Sequence, residues 1–265
     1  MTDDPYVSVA VEGESDTGMA RALLESAGLA LSRPCLVKRG VANLDSLLPR
    51  LSRTKIHNPW IVFRDSDNQC PVELRMALIG SRPHDGGFEL RFACSMTEAW
   101  LLADAENFSD HFKVPAQKVP RAPDQLRHAK RELLRLCRSS RSRRIRDDMT
   151  RADGAPGPLY VIRLNEFALK RWDVVKAQER SPSLRRTIAR LTSMRTQLLV
   201  VRAGARLRRE PEEVAEEATP ASGARGARQL GQVVPMNHGG DVVERIGGPL
   251  LARLQDLVEL GGGVA

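Results

Sequence analysis

The sequence predicts an α/β protein with a parallel, Rossmann-like β-sheet of about four strands flanked by helices. Three observations support this fold class. The chain has 265 residues and is 42% hydrophobic, which is enough to build a core. Strand-like and helix-like stretches alternate from residue 6 to about residue 108. Strict alternation of this kind is typical of a parallel sheet covered by helices on both faces.

Each predicted strand is followed by a predicted helix. The strands are expected at 6–11, 34–40, 60–65 and 88–95, and the helices at 15–28, 43–54, 71–81 and 97–108. Ser15 or Asp16 is a candidate N-cap of the first helix, and Gly28 is a candidate stop. Pro49 is expected to weaken or kink the second helix.

The composition divides the chain into three segments: a core (1–108), a mostly helical, basic extension that packs on the core or continues it (109–202), and a low-complexity tail (203–265). The tail contains eleven of the twenty glycines and no Phe, Trp or Tyr. Such a segment buries too little apolar surface to offset its ordering entropy, so we expect it to be mainly disordered.

The net charge and the spacing of the cysteines indicate the class of partner and the cellular compartment. The net charge of +8 and the pI of about 9.8 favour anionic partners, nucleic acid first and a membrane surface second. The four cysteines form no C-x-x-C pair, which is typical of a reducing compartment. No signal peptide and no run of membrane-span length is visible, so we expect a cytoplasmic protein without a membrane partner.

Most of the positive charge lies in residues 121–151, here called the basic segment, which contain eleven Lys or Arg and four Asp or Glu. Arginine-rich helices are often only solvated faces or contacts for an acidic partner. This density favours contact with a nucleic-acid backbone, without sequence readout because no aromatic residues are interleaved. The residues expected to make that contact are Arg127, Lys130, Arg131, Arg135, Arg138, Arg141, Arg143, Arg144 and Arg146.

Acidic residues follow two of the predicted strands. Glu12 ends the first strand, and Asp65 and Asp67 end the third. The carboxyl ends of parallel strands meet at one edge of a sheet, so these three carboxylates are expected to lie together. Hard oxygen ligands of this kind hold Mg²⁺ or Mn²⁺, which offsets phosphodiester charge and activates water. Either motif alone is weak, because Glu-Gly and Asp-x-Asp occur by chance in many turns; together they predict a metal site.

This order of elements resembles the Toprim fold, with Glu12-Gly13 after strand one and Asp65-Ser66-Asp67 after strand three. The run Val11 to Asp16 is similar to the overcoming-lysogenization-defect (OLD) nucleases. Glu98 to Asp104 and Ser181 to Arg186 resemble an uncharacterised Toprim-like family, domain of unknown function 4276. The resemblance covers scattered motifs in residues 6–200.

The resemblance implies that Glu12 is an acid/base group or a metal ligand and that Asp65 and Asp67 are metal ligands. It places Asp16 where OLD-like proteins carry a glutamate, so Asp16 is either a second-metal ligand with a shorter side chain or the cap of the following helix. Glu98 is a candidate fourth carboxylate, although the positive end of its own helix would also favour it there.

The resulting functional hypothesis is a Mg²⁺-dependent nuclease of the Toprim and OLD type. The resemblance implies a role in bacterial defence against phage or mobile elements, with a separate ABC-type ATPase as a possible partner. The alternative is a non-catalytic Toprim module that binds nucleic acid or a partner protein through the basic segment. A third hypothesis keeps the metal site but uses it on a nucleotide or another small phosphoester.

Overall fold

The computed structural model describes residues 4–81 and 86–216, those after residue 205 as backbone only. It confirms an α/β protein whose parallel sheet is flanked by helices and followed by a mostly helical part. The sheet has five strands, one more than expected, and every pairing in it is parallel. The strands are β1 (Tyr6–Val11), β2 (Ala30–Leu31), β3 (Leu36–Val37), β4 (Trp60–Asp65) and β5 (Phe88–Ala93).

The sheet is built outward from β1. Ala10 of β1 pairs with Leu36 of β3 and with Val62 of β4, so β3 and β4 lie on opposite sides of β1. The strand β2 pairs with the beginning of β1, and β5 lies beyond β4 as an edge strand. The chain therefore adds strands on one side of β1, then crosses over to add β4 and β5 on the other. In open α/β sheets, such a reversal of direction marks the usual ligand crevice.

Eleven α-helices are described. They are α1 (Thr17–Ser26), α2 (Val41–Asp45), α3 (Leu48–Leu51), α4 (Pro71–Ile79), α5 (Thr97–Ala103), α6 (Ala105–Phe112), α7 (Ala129–Arg138), α8 (Arg143–Met149), α9 (Tyr160–Lys170), α10 (Val174–Arg180) and α11 (Pro182–Glu216). Short 3₁₀ turns cover Glu14–Asp16, Ala116–Lys118 and Pro123–Gln125.

The two central strands are mainly apolar because both faces of the sheet are covered. Val9 and Phe63 belong to the larger hydrophobic core, which includes α1, α5 and α9. Ala10 and Val62 face the other way, into a smaller core with residues of α2, α3 and α4. Strands buried on both faces appear in a sequence as continuous apolar runs, which explains why β1 and β4 match their predicted limits.

Three predicted elements differ from the observed ones. The strand expected at 34–40 is only two residues long. The helix expected at 43–54 is divided into α2 and α3, with Pro49 in the first turn of α3, where its missing N–H costs nothing. The helix expected at 97–108 is interrupted at Asp104, whose carboxylate caps α6 by accepting a hydrogen bond from the Asn107 amide.

The helical part is joined to the sheet by a close contact between α9 and α1. The side chain of Asn165 accepts a hydrogen bond from the Gly18 amide at 2.8 Å and donates one to the Glu14 carbonyl at 3.0 Å. A Cβ atom on Gly18 would lie 2.7 Å from the Cα atom of Asn165, so only glycine fits there.

The last helix, α11, passes through residue 203, where the tail was expected to begin, and its backbone continues to Glu216. Residues 217–265, which make up most of the predicted tail, lie outside the described residues.

Candidate active site

Five acidic side chains lie at the carboxyl ends of β1, β4 and β5, beside the point where the sheet reverses direction. We call them the carboxylate cluster: Glu12, Asp16, Asp65, Asp67 and Glu98. Their charges act on one another: Asp16 and Asp67 raise the pKa of Glu12, and Glu98, Asp16 and Glu12 raise that of Asp65. The structure therefore brings together all five acidic residues that the sequence had marked.

Glu12 follows β1 directly and is half-buried. Its Oε2 atom is shielded from solvent and has no hydrogen-bond partner among the described residues. Burial raises the pKa of this carboxyl group, and the charges of Asp16 and Asp67 raise it further, against the opposing effect of Arg64. An unsatisfied buried carboxylate oxygen is costly, so its presence needs an explanation beyond folding.

Asp65 is the last residue of β4 and accepts a hydrogen bond at Oδ1 from the Thr97 amide at 2.9 Å. Burial raises the pKa of Asp65 well above its usual value, and the charges of Glu98, Asp16 and Glu12 add to this effect. The Thr97 hydrogen bond opposes the shift but is outweighed. Asp65 is thus held in one orientation while its ionised form is destabilised.

Asp67 lies on the turn that follows β4 and is exposed. Its φ of 48° and the φ of 64° at Asn68 place both residues in the left-handed region, and Ser95, which follows β5, has a φ of 55°. The turn is held to the end of β5 by the Asp67 amide, which donates to the Ser95 carbonyl at 3.0 Å. Neighbouring residues in this sparsely populated conformation are typical of functional loops.

Arg64 stiffens the same strand from the opposite face of the sheet. It is 4% exposed and donates to both carboxylate oxygens of Asp45, at 2.7 and 3.0 Å. It also donates to the backbone carbonyl of Asp65. A bidentate pair of this kind fixes geometry. Because the guanidinium is occupied by Asp45, it is not a free phosphate contact, although its charge still acts on Glu12 and Asp67.

Both carboxylate oxygens of Asp16 are already engaged. Oδ2 accepts from the Gly13 amide and Oδ1 from the Thr97 hydroxyl, each at 2.8 Å. Asp16 therefore ties the loop after β1 to the start of α5. Burial raises the pKa of Asp16, whereas these hydrogen bonds and Lys130 lower it. These contacts favour a structural role for Asp16 over that of a second-metal ligand, although its side chain does not cap α1 as expected.

Glu98 lies in the first turn of α5 and is 4% exposed. Its Oε1 atom accepts a hydrogen bond from the Tyr160 hydroxyl at 2.7 Å, and the Lys130 ammonium lies 5.1 Å from the centre of the Tyr160 ring. Burial and Asp16 raise the pKa of Glu98, and Lys130 and Tyr160 oppose them. Glu98 thus lies at the inner side of the cluster, in contact with the helical part.

The donors of the cluster suit a divalent cation in their chemistry. Oxygen atoms of carboxylates are the preferred ligands of Mg²⁺, Glu12 offers an unsatisfied one, and a cation would relieve the repulsion that raises the pKa values. Among the side chains of residues 4–81 and 86–205, however, no three Asp, Glu, His or Cys residues already form a ligand set. Binding would therefore require side-chain rotation, for which exposed Asp67 and half-buried Glu12 have room.

Only the beginning of the basic segment reaches the carboxylate cluster. The Asn68 side chain donates to the carbonyl of Arg127 at 2.9 Å, which places this arginine beside the Asp67 turn. Lys130 acts on Asp16 and Glu98. The other seven predicted nucleic-acid contacts, on α7, α8 and the turn between them, have no described contact with the cluster.

Most of those seven cations have partners within the protein. Arg135 forms a bidentate pair with Glu132 at 2.8 and 2.6 Å, and Arg143 and Arg144 lie 3.5 and 3.7 Å from Asp147 and Asp148. The guanidinium groups of Arg138 and Arg146 donate to backbone carbonyls. Of the nine predicted nucleic-acid contacts, three are exposed arginines with no side-chain hydrogen bond or ion pair within the described residues: Arg127, Arg131 and Arg141.

Sequence reasoning missed the residues that position the carboxylates. Thr97 serves Asp16 and Asp65 at once, Asp45 holds Arg64, and Tyr160 binds Glu98. The position of Thr97 directly before Glu98 was a usable signal. The roles of Asp45 and Tyr160 depend on tertiary contacts 19 and 62 residues away, for which the sequence carries no pattern.

Comparisons with known proteins add little. No protein-family model matches the chain, and no curated protein matches it. Among solved structures, the chain is similar to the C-terminal region of the OLD protein of Xanthomonas campestris pv. campestris. The similarity has 14% identity and a TM-score of 0.30 and covers 71% of this chain and 98% of that one. A TM-score this low carries no argument about function.

One observation bears on the prediction that the protein has no membrane partner. No helix in the described part of the chain combines the length and the apolar character needed to cross a bilayer.

Proposed function

We propose that this protein is a Mg²⁺- or Mn²⁺-dependent phosphodiesterase that cleaves nucleic acid at the carboxylate cluster. The observation that carries the proposal is the unsatisfied, buried Oε2 atom of Glu12 within a group of carboxylates that raise each other's pKa values. A protein gains no stability from such an arrangement, and a divalent cation offsets its cost. The resemblance to the Toprim fold supports the same assignment.

Three residues would carry the chemistry. Asp65, held by the Thr97 amide, and Asp67, exposed on the strained turn, would hold the metal ion, and Glu12 would serve as a further ligand or move the proton of the attacking water. The bound cation would offset the charge of the phosphodiester and lower the pKa of water. Arg64 and Asp45 would keep β4 rigid, so that the two aspartates keep their spacing.

The substrate would be held through its backbone. Arg127 lies beside the Asp67 turn and is free to contact phosphate, and Arg131 is exposed in the first half of α7. No stacking platform of aromatic side chains accompanies them in the basic segment, so we expect little sequence preference. A role in bacterial defence beside a separate ABC-type ATPase rests on the resemblance alone.

The decisive experiment is a cleavage assay on plasmid, single-stranded DNA, RNA and nucleotides, with and without Mg²⁺ or Mn²⁺. We expect metal-dependent cleavage by the wild-type chain and none by Glu12→Ala, Asp65→Ala or Asp67→Ala. Glu14→Ala is the matched control. Glu14 lies two residues from Glu12, but its side chain is exposed and forms an ion pair of 3.9 Å with Arg39, which is outside the cluster. Full activity in Glu12→Ala would contradict the assignment, and cleavage of nucleotides alone would move it to small phosphoesters.

A second candidate function is a non-catalytic module that binds nucleic acid through the basic segment. It is favoured by one observation: Asp16, Asp65 and Glu98 each already accept a protein hydrogen bond, and no ligand set is preformed in the described residues. Calorimetric titration with Mn²⁺ separates the two candidates. Binding that disappears in Asp65→Ala and Asp67→Ala supports the enzyme, whereas no metal binding in the wild type supports the module.

A further inference from the structure

A second charged site lies at the edge of the sheet and is lined by residues outside the carboxylate cluster. A cleft of about 350 Å³ opens beside the edge strand β5, between α4 and the beginning of α11. Four arginines line it, Arg75 from α4, Arg91 from β5, and Arg186 and Arg190 from α11. We call it the arginine cleft.

The positive charge of the cleft is only partly compensated by the protein. Glu89 is its one acidic lining residue, and two arginines share it: Arg190 at 3.1 Å and Arg91 at 3.6 Å. The Nε atom of Arg91 is buried and has no partner among the described residues. Arg75 and Arg186 form no ion pair with the side chains described, those of residues 4–81 and 86–205.

The arginines of the cleft also act on each other. Burial lowers the pKa of Arg91, and the charges of Arg190 and Arg75 lower it further, although Glu89 opposes them. The pKa of Arg75 is lowered in the same way, by burial and by Arg190. Guanidinium groups this close, with a single carboxylate between them, are stabilised by a bound anion.

We infer that the arginine cleft is a binding site for a phosphate group. Guanidinium forks match phosphate oxygens in geometry, and a phosphate can accept from several forks at once. The volume is that of an ordinary ligand pocket, large enough for a phosphate with an attached sugar. This site needs no metal ion, and it does not depend on the proposed phosphodiesterase.

The cleft lies beside the end of β5, and the residue that follows this end is hydrogen-bonded to the turn that carries Asp67. Cys94 lines the cleft, and the next residue, Ser95, accepts the hydrogen bond from the Asp67 amide. A phosphate there could belong to a nucleic-acid strand that also reaches the carboxylates, or to a small phosphorylated molecule. The recognising chemistry is the same for both.

The test is a calorimetric titration of the full chain with inorganic phosphate in EDTA. We expect the wild type to bind phosphate and the double variant Arg75→Gln/Arg186→Gln to bind it at least about tenfold more weakly, because two charge-assisted hydrogen bonds are lost. Arg185→Gln is the matched control, since Arg185 is exposed on the same helix but does not line the cleft. It should bind like the wild type.

Absence of phosphate binding in the wild type, or equal binding in the double variant, would overturn the inference. Because Arg186 is exposed, the single variant Arg186→Gln keeps the test valid if the double variant is misfolded by circular dichroism. Asp65→Asn should bind phosphate normally in EDTA, which separates this site from the proposed phosphodiesterase.

The source of the phosphate is decided by repeating the titration with a saturating single-stranded oligonucleotide that lacks terminal phosphates. Loss of phosphate binding assigns the cleft to the nucleic-acid backbone. Persistence assigns it to a small phosphorylated ligand. Both assignments hold only if the Arg75→Gln/Arg186→Gln variant has lost phosphate binding.

Discussion

The carboxylate cluster and the basic segment handle charge in opposite ways. In a chain of net charge +8, five acidic groups lie close together, and their charges raise the pKa values of Glu12, Asp65 and Glu98, with few cations beside them. The basic segment has a large positive excess, yet most of its arginines on α7 and α8 have partners within the protein.

This difference shows that the net charge of a chain indicates the class of its partner but does not identify the residues that contact that partner. Charges that are satisfied internally stabilise the fold, and unsatisfied ones are available to a ligand. By that criterion the carboxylate cluster and the arginine cleft are the two sites of the described chain that call for a counter-ion. Four predictions test the comparison, in order of decreasing effect.

The largest effect is expected from Asp65→Asn. The asparagine oxygen can still accept from Thr97, but the charge is lost, so we expect metal-dependent cleavage to fall by at least about a hundredfold. The same variant should be more stable than the wild type in EDTA near neutral pH, because repulsion within the cluster is relieved. Cleavage rates and thermal unfolding measure the two effects, and an unchanged cleavage rate would remove Asp65 from the site.

The gain in stability should depend on pH. Since the folded-state pKa of Asp65 is raised well above its usual value, the folded protein holds this proton more tightly than the unfolded chain. The associated stability is fully present below the unfolded-state pKa of 3.8 and is lost as the pH rises through the folded-state value. Asp65→Asn should therefore unfold with a weaker pH dependence over that range.

The second effect is stabilisation by metal. At about one hundred times its dissociation constant, Mn²⁺ should stabilise the wild type by about 2.7 kcal/mol. For a chain of this size that corresponds to a rise of roughly 5–10 °C in Tm. Asp67→Ala should show a much smaller rise, and Glu14→Ala should match the wild type. An equal rise in all three proteins would mean that the metal binds elsewhere.

The third effect concerns Asp16. Its replacement by alanine removes the acceptors of the Gly13 amide and the Thr97 hydroxyl, so we expect a loss of about 1–3 kcal/mol in the free energy of unfolding. Asp16→Asn should keep most of the stability and most of the activity, because its amide oxygen can accept from the Gly13 amide and its amide nitrogen can donate to the Thr97 hydroxyl oxygen. A loss of cleavage in Asp16→Asn without a loss of stability would instead identify Asp16 as a metal ligand.

The smallest effects are expected in the basic segment. Arg127→Gln, Arg131→Gln and Arg141→Gln should each reduce the salt dependence of nucleic-acid binding by about 0.9 in log–log slope if each contacts one phosphate. Arg143→Gln and Arg144→Gln, whose side chains face Asp147 and Asp148, should change it less. Binding titrations at several salt concentrations measure this, and equal slopes throughout would assign nucleic acid to another surface.

The sequence predicted the sheet well where the structure is simple. The limits of β1 and β4 follow from their continuous apolar runs, and Glu12 and Asp65 were placed correctly because each follows such a run. The strands β2 and β3 have two residues each, too few to form a pattern. At Asp104, which breaks the predicted helix, the local cap to Asn107 is joined by a tertiary hydrogen bond from the Asp173 amide, which no local pattern encodes.

The candidate site could be predicted only in part, for the same reason. The acidic residues belong to short motifs near strand ends, so their proximity follows from the parallel topology. The hydrogen bonds of these residues do not follow from the topology. The structural role of Asp16 depends on Thr97, which is 81 residues away, and the environment of Glu98 depends on Tyr160. The arginine cleft joins three elements whose proximity appears only in the folded chain.

The contact between Gly18 and Asn165 has a consequence for dividing the chain. Asn165 holds both the amide that begins α1 and the loop after Glu12, and Tyr160 from the same helix binds Glu98. A fragment ending at residue 108 would keep every acidic residue of the cluster but lose the helix that orients them. The first half of the chain is therefore not a transferable module, and its separated halves should recover the site only by fragment complementation.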